Sequence, residues 1–85
     1  MPRFIAVHTM SITEDQWKSV AKEMVTKIPK GFSWKLTYCA FNDGKFFCEW
    51  QAPSKKALKE WLVANTAFDD VYSVKLHNIA RGKME

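Results

Sequence analysis

Three side chains in this sequence have the chemistry to hold an ion or to move a proton: His8, Tyr38 and Cys48. An imidazole nitrogen, a thiolate and a phenol together suit a borderline transition metal such as Ni(II), Zn(II) or Cu(II). The same imidazole and phenol also form a minimal acid/base pair, with His8 as general acid or base and Tyr38 as donor to a developing oxyanion. Trp34 and Trp50 read onto the same side of their strands as Tyr38 and Cys48, and are candidate walls for a small organic ligand. Each of these residues also has a plain structural use. Cys48 serves as a small buried hydrophobe, Tyr38 as a core ring with one satisfied hydroxyl, and His8 as a half-buried strand histidine. No spaced metal or catalytic motif accompanies them, so any site depends on the fold that gathers them.

That fold is organised around Phe32–Pro53. Two aromatic-rich runs flank Asn42-Asp43-Gly44-Lys45, which reads as a β-hairpin. A two-residue turn at Asp43-Gly44 would pair Cys39 with Cys48. A turn at Asn42-Asp43 with Gly44 left-handed would pair Phe41 with Lys45 and Tyr38 with Cys48. The second register is favoured because it sorts the faces: Trp34, Leu36, Tyr38, Phe46, Cys48 and Trp50 on one, Lys35, Thr37, Cys39, Phe47 and Glu49 on the other. It also places the two cysteines on opposite faces, unable to bridge.

The flanking elements are legible too. Arg3–Met10 reads as a strand with Phe4, Ala6 and His8 on one face. Thr13 and Gln16 form a capping box, and Trp17, Val20, Ala21, Met24, Val25 and Ile28 follow helical spacing up to Pro29. Ser54 caps a second helix with Leu58, Trp61 and Leu62 inward. Val71–Ile79 reads as the fourth strand, and residues 80–85 as a loose tail.

The order β-α-β-β-α-β over residues 1–85 predicts one α+β domain, a ferredoxin-like sandwich. Its antiparallel sheet has the order 4-1-3-2, with both helices on one face. The other face is left bare. A bare face holding Trp34, Tyr38, Phe46 and Trp50 calls for a second copy packed sheet to sheet, a homodimeric α+β barrel. His8, Tyr38 and Cys48 fall at the same end of such a sheet.

Composition narrows the class. The net charge of +4 is spread over short basic clusters, better explained by solvation than by a nucleic-acid footprint. The start lacks the apolar segment of a signal peptide, and no run is long enough to span a membrane. Two cysteines fit a reduced, cytoplasmic setting better than a disulfide scaffold.

Arg-Phe-Ile-Ala-Val-His-Thr at 3–9, the Trp34…Tyr38 strand, and Gly-Lys-Phe-Phe-Cys-Glu-Trp-Gln-Ala-Pro-Ser at 44–54 carry a resemblance. The chain resembles a family of small bacterial ferredoxin-like proteins, mostly uncharacterised, one branch of which is described as nickel-binding. The resemblance spans nearly the whole chain. It implies a homodimer with a shared barrel and a metal or small-ligand site near His8, Tyr38 and Cys48. The leading expectation is therefore a dimeric ligand- or metal-binding protein, with nickel or zinc as the ion. The alternative is a cofactor-free enzyme of monooxygenase or isomerase type, which rests on fold analogy alone. An RNA-binding module shares the element order, but Gly-Lys-Phe-Phe-Cys-Glu-Trp lacks the RNP1 pattern, and this reading ranks last.

Overall fold

The computed structural model describes all residues 1–85. The chain runs β1 (Arg3–Thr9), α1 (Glu14–Val25), β2 (Ser33–Ala40), a 3₁₀ turn (Phe41–Asp43), β3 (Lys45–Gln51), α2 (Lys55–Asn65) and β4 (Asp70–Val74). The sheet order is β2-β3-β1-β4 with antiparallel neighbours throughout, the expected ferredoxin-like topology. The last strand is shorter than its β-branched residues predict. It stops at Val74, and the chain turns into a small hairpin of β5 (His77–Asn78) and β6 (Lys83–Met84) in place of a loose tail.

Local chemistry sets the helix starts. The Thr13 hydroxyl accepts the Gln16 N–H, and the Gln16 side chain accepts the Thr13 N–H at 2.8 Å, so the capping box is complete. The Ser54 hydroxyl accepts the Ala57 N–H at 3.1 Å. The helices pack unequally. α2 buries Leu58 and Leu62, whereas α1 has no fully buried residue and leaves Val20 and Val25 well exposed.

The hairpin takes neither predicted register. Ala40 pairs with Lys45, Tyr38 with Phe47 and Thr37 with Cys48, one step from the favoured alignment. The physical reason is the turn. Phe41–Asp43 coil as a 3₁₀ turn with Gly44 at φ 64°, so four residues bridge the strands instead of three. Gly44 is required there, since a Cβ would stand 3.2 Å from the Met10 carbonyl oxygen while Met10 donates its N–H to Gly44 O at 3.0 Å. Lower down, a β-bulge between Trp34 and Leu36 shifts the alignment again, and Trp34 pairs with Trp50.

This register decides the faces. Phe4, Ala6, His8, Phe46, Cys48 and Trp50 turn toward the helices and are buried, with Val71 beside them. Trp34, Thr37 and Cys39 join them from β2, so the cysteines share a face as diagonal neighbours rather than standing on opposite ones. The open face carries Ile5, Val7, Leu36, Tyr38, Phe47 and Tyr72, and not the tryptophans the sequence pattern suggested. Arg3 and Glu49 cross that face as an ion pair at 2.8 Å, both side chains less than a fifth exposed.

Candidate functional site

His8 is the one polar side chain the fold buries, at 5% exposure. It sits opposite Phe46 on β3, two residues along from Cys48, on the helix-facing side. Its Nδ1 lies 2.7 Å from the Ala67 carbonyl oxygen. A carbonyl only accepts, so Nδ1 carries the proton and, in the neutral ring, Nε2 carries the lone pair. No protein group bonds Nε2. A ring nitrogen tied to a backbone carbonyl while its opposite number is free is the usual outer-shell arrangement of a metal-binding histidine.

His8 lines a half-open cavity of about 30 Å³ between the sheet and both helices. Cys48 and all four tryptophans of the chain, Trp17, Trp34, Trp50 and Trp61, share its wall. The rings brace one another. Trp34 stacks on Trp50 at 5.6 Å and 7°, Trp17 meets Trp34 edge-on at 5.9 Å, and Trp61 tilts on Trp50 at 5.2 Å. Each such pair adds about 0.5–1.5 kcal/mol beyond its burial. Trp50 Nε1–H is buried without an acceptor. The wall thus offers one unused lone pair, while the Trp50 donor is sealed within the packing. The space within the cavity is enough for an ion or a water molecule or two.

Cys48 is 3% exposed, and burial pushes its thiol up to about 11. The Thr37 hydroxyl, which donates to its sulfur at 3.2 Å, acts in the opposite direction. Cys39 is also raised, by burial and by the nearby Glu14 carboxylate. The Cys48 shift has a consequence for folding. The folded thiol holds its proton above the pH where the unfolded one, with a value near 9, lets go. This proton has no effect on stability below about pH 8, and stability is lost as pH rises from about 9 toward 11. Urea unfolding at pH 8 and pH 10.5 should show wild type losing about 2 kcal/mol more than Cys48→Ala over that interval. Equal losses would show that the thiol is not held in this way.

The donors suit a borderline or soft ion in kind: an imidazole nitrogen, a thiol sulfur, and the thioethers Met10 and Met24 on the same wall. They are few. No three of the His, Cys, Asp and Glu side chains form a metal cluster within the chain. His8 and Cys48 are therefore two donors, with the rest of a coordination shell left to thioether or solvent.

Of the residues expected to act together, His8, Cys48, Trp34 and Trp50 are brought to one cavity. Tyr38 is not. The one-step register change pairs it with Phe47 and turns it to the open face, 68% exposed, with the sheet between it and Cys48. Sequence reasoning treated Trp17 and Trp61 as helix core only. Their spacing pointed inward but did not show that the interior closes incompletely around them. Thr37 was assigned to the wrong face by the same register error.

The family described as "Nickel responsive protein SCO4226-like" matches residues 4–74. The crystal structure of SCO4226 from Streptomyces coelicolor A3(2) superposes with a TM-score of 0.73, covering 89% of this chain and 99% of that one at 20% identity. At that identity the likeness speaks for the fold. No curated protein matches the chain.

Proposed function

The chain belongs to the SCO4226-like family of nickel responsive proteins, and from that premise we propose that it is a small homodimeric binding protein that takes a transition-metal ion, nickel foremost, at His8 and Cys48. The observation that carries the reading is the buried His8 ring, pinned at Nδ1 by the Ala67 carbonyl and left with a free Nε2 on the cavity. Such an ion would supply a fixed positive charge at Nε2 and Sγ. The residues would do the rest. Ala67 orients the imidazole, the tryptophan wall narrows the access of water, and Cys48 gives up its proton on binding.

The second copy is proposed to cover the open sheet face. A standard interface buries about 800 Å² on each partner, which is about a seventh of this chain's 5785 Å² surface. Ile5, Val7, Leu36, Tyr38, Phe47 and Tyr72 give that face its apolar content, and the Arg3–Glu49 pair is already internally satisfied within it.

The test is a calorimetric titration of Ni(II) into the metal-free protein, with elemental analysis after gel filtration. Wild type should bind stoichiometrically. His8→Ala and Cys48→Ala should each weaken binding by about 100-fold or more, and Tyr38→Phe should leave it unchanged. Affinity should fall as pH drops, because protons compete for the imidazole and the sulfur. Retention of full affinity by both His8→Ala and Cys48→Ala would remove the proposed site.

A further inference from the structure

Beyond β4 the chain builds a second, two-stranded sheet, the β5–β6 hairpin. The family match stops at residue 74, where β4 ends. No residue past Val71 belongs to the buried core. The ferredoxin-like domain therefore has its sheet and its interior without the hairpin.

The hairpin is nonetheless specified by its own chemistry. The Leu76 and Glu85 backbones exchange two hydrogen bonds, at 3.2 and 2.6 Å, which close its open end. At the turn, Asn78 Oδ1 accepts the Arg81 N–H at 3.0 Å, and Gly82 is left-handed at φ 63°. A two-stranded ribbon this short is marginal by itself in water. None of its residues is buried. Ile79 at the turn is 80% exposed, the most exposed large apolar side chain in the protein, and Met84 and Leu76 are exposed with it. A cleft of about 590 Å³ is lined by Lys75 and Glu85 at its base together with Arg3, Pro53 and Ser54, so that base is not packed down on its own subunit.

The open sheet face has a shortfall of its own. Four strands about 4.8 Å apart and about seven residues long give a flat footprint of about 440 Å². A stable pairing covers about 800 Å² on each partner. Ile5 and Val7 are moreover half-buried within the single chain. We propose that the β5–β6 hairpin is a docking arm for a second copy of this chain, laying Leu76, Ile79 and Met84 on the partner subunit. This rests on the proposed pairing of open faces. The arm leaves the edge strand β4 just past Val74, close along the chain to Tyr72, which is exposed on that face. Its apolar side chains thus extend the same surface outward. In a two-fold pair each copy gives one arm and receives one, so every contact of the arm counts twice.

Ile79→Asp places a charge on a side chain that a lone copy leaves in water. Sedimentation equilibrium should show the dimer dissociation constant raised about 100-fold or more. The far-ultraviolet spectrum, and the urea midpoint of dilute monomer, should not move. Met84→Asp should act in the same direction by less. Val63→Asp is the control: Val63 lies on α2, 72% exposed, and its change should leave the dimer intact. In a mixture of ¹³C-labelled and unlabelled protein, the Ile79 methyls should show nuclear Overhauser contacts to the unlabelled copy. Wild-type dissociation constants in both Ile79→Asp and Met84→Asp would overturn the arm and leave the dimer standing. Ile79 methyls without contacts across copies would do the same. A Val63→Asp as impaired as Ile79→Asp would also overturn it, since the effect would then be one of surface charge. A wild type that is monomeric at high concentration ends the dimer reading itself, and the arm with it.

Discussion

Phe46→Ala should destabilise the protein by about 3–5 kcal/mol, the usual cost of emptying a buried phenylalanine site. Phe46 is fully buried and held on two sides, stacked with Trp17 at 5.2 Å and met edge-on by Phe41 at 5.4 Å. Both neighbours depend on it. Trp17 is the main inward residue of α1, a helix with no fully buried side chain of its own, and Phe41 begins the 3₁₀ turn that sets the hairpin register. Losing the ring therefore loosens α1 and the turn together. A domain of this length has about 5–15 kcal/mol in all, so the variant should sit close to its unfolding midpoint. Urea denaturation followed by circular dichroism measures this. A loss under about 1 kcal/mol would mean that the aromatic cluster repacks freely.

The next residue should behave in a different way. Phe47→Lys places a charge in the middle of the open face, where Phe47 is 38% exposed and pairs across the hairpin with Tyr38. The fold should survive, because nothing on the helix side is disturbed. The assembly should not, because an unpaired ammonium has no counter-charge in an apolar interface. The expected result is a monomer by sedimentation at concentrations where wild type is a dimer, with an unchanged far-ultraviolet spectrum. A wild type that is itself monomeric at high concentration would end the dimer proposal. Adjacent residues, one carrying stability and the other association, would display the two-sidedness of the sheet in a single pair of measurements.

Much of this architecture is written in local signals. Thr13 and Gln16, Ser54, and the strand–helix order are short-range chemistry, and they led to the right topology and sheet order. What went unread is register. A sheet whose two faces are both apolar offers no polar contrast to choose between alignments one residue apart. Lys35 is the instructive residue. It made Trp34, Leu36 and Tyr38 look like one continuous face, but it lies at the bulge, which lets Trp34 face the helices while Leu36 and Tyr38 face the other way. The four-residue turn moved Tyr38 away from the candidate site and brought Thr37 to it, and the bulge kept Trp34 on the same side as Thr37. Whether His8 shares a face with Cys48 is a point the sequence leaves open; the two do share it, because β1 and β3 are regular and pair without a shift. The Ala67 carbonyl that holds His8 comes from the loop after α2, a contact no periodicity encodes.

The bulge also bears on how copies of this chain can meet. β2 is an outer strand of the sheet, and a straight outer strand is a template on which further chains can add without end. At Lys35 the ladder of the strand is interrupted, and an exposed charge stands at the break. The opposite edge, β4, is only five residues long and runs into the terminal hairpin. With both rims blunted in this way, growth by strand addition is discouraged, and the proposed association through the sheet surface would close after two copies. The irregularity that aims a threonine at a sulfur would thus also separate a finite assembly from a fibre.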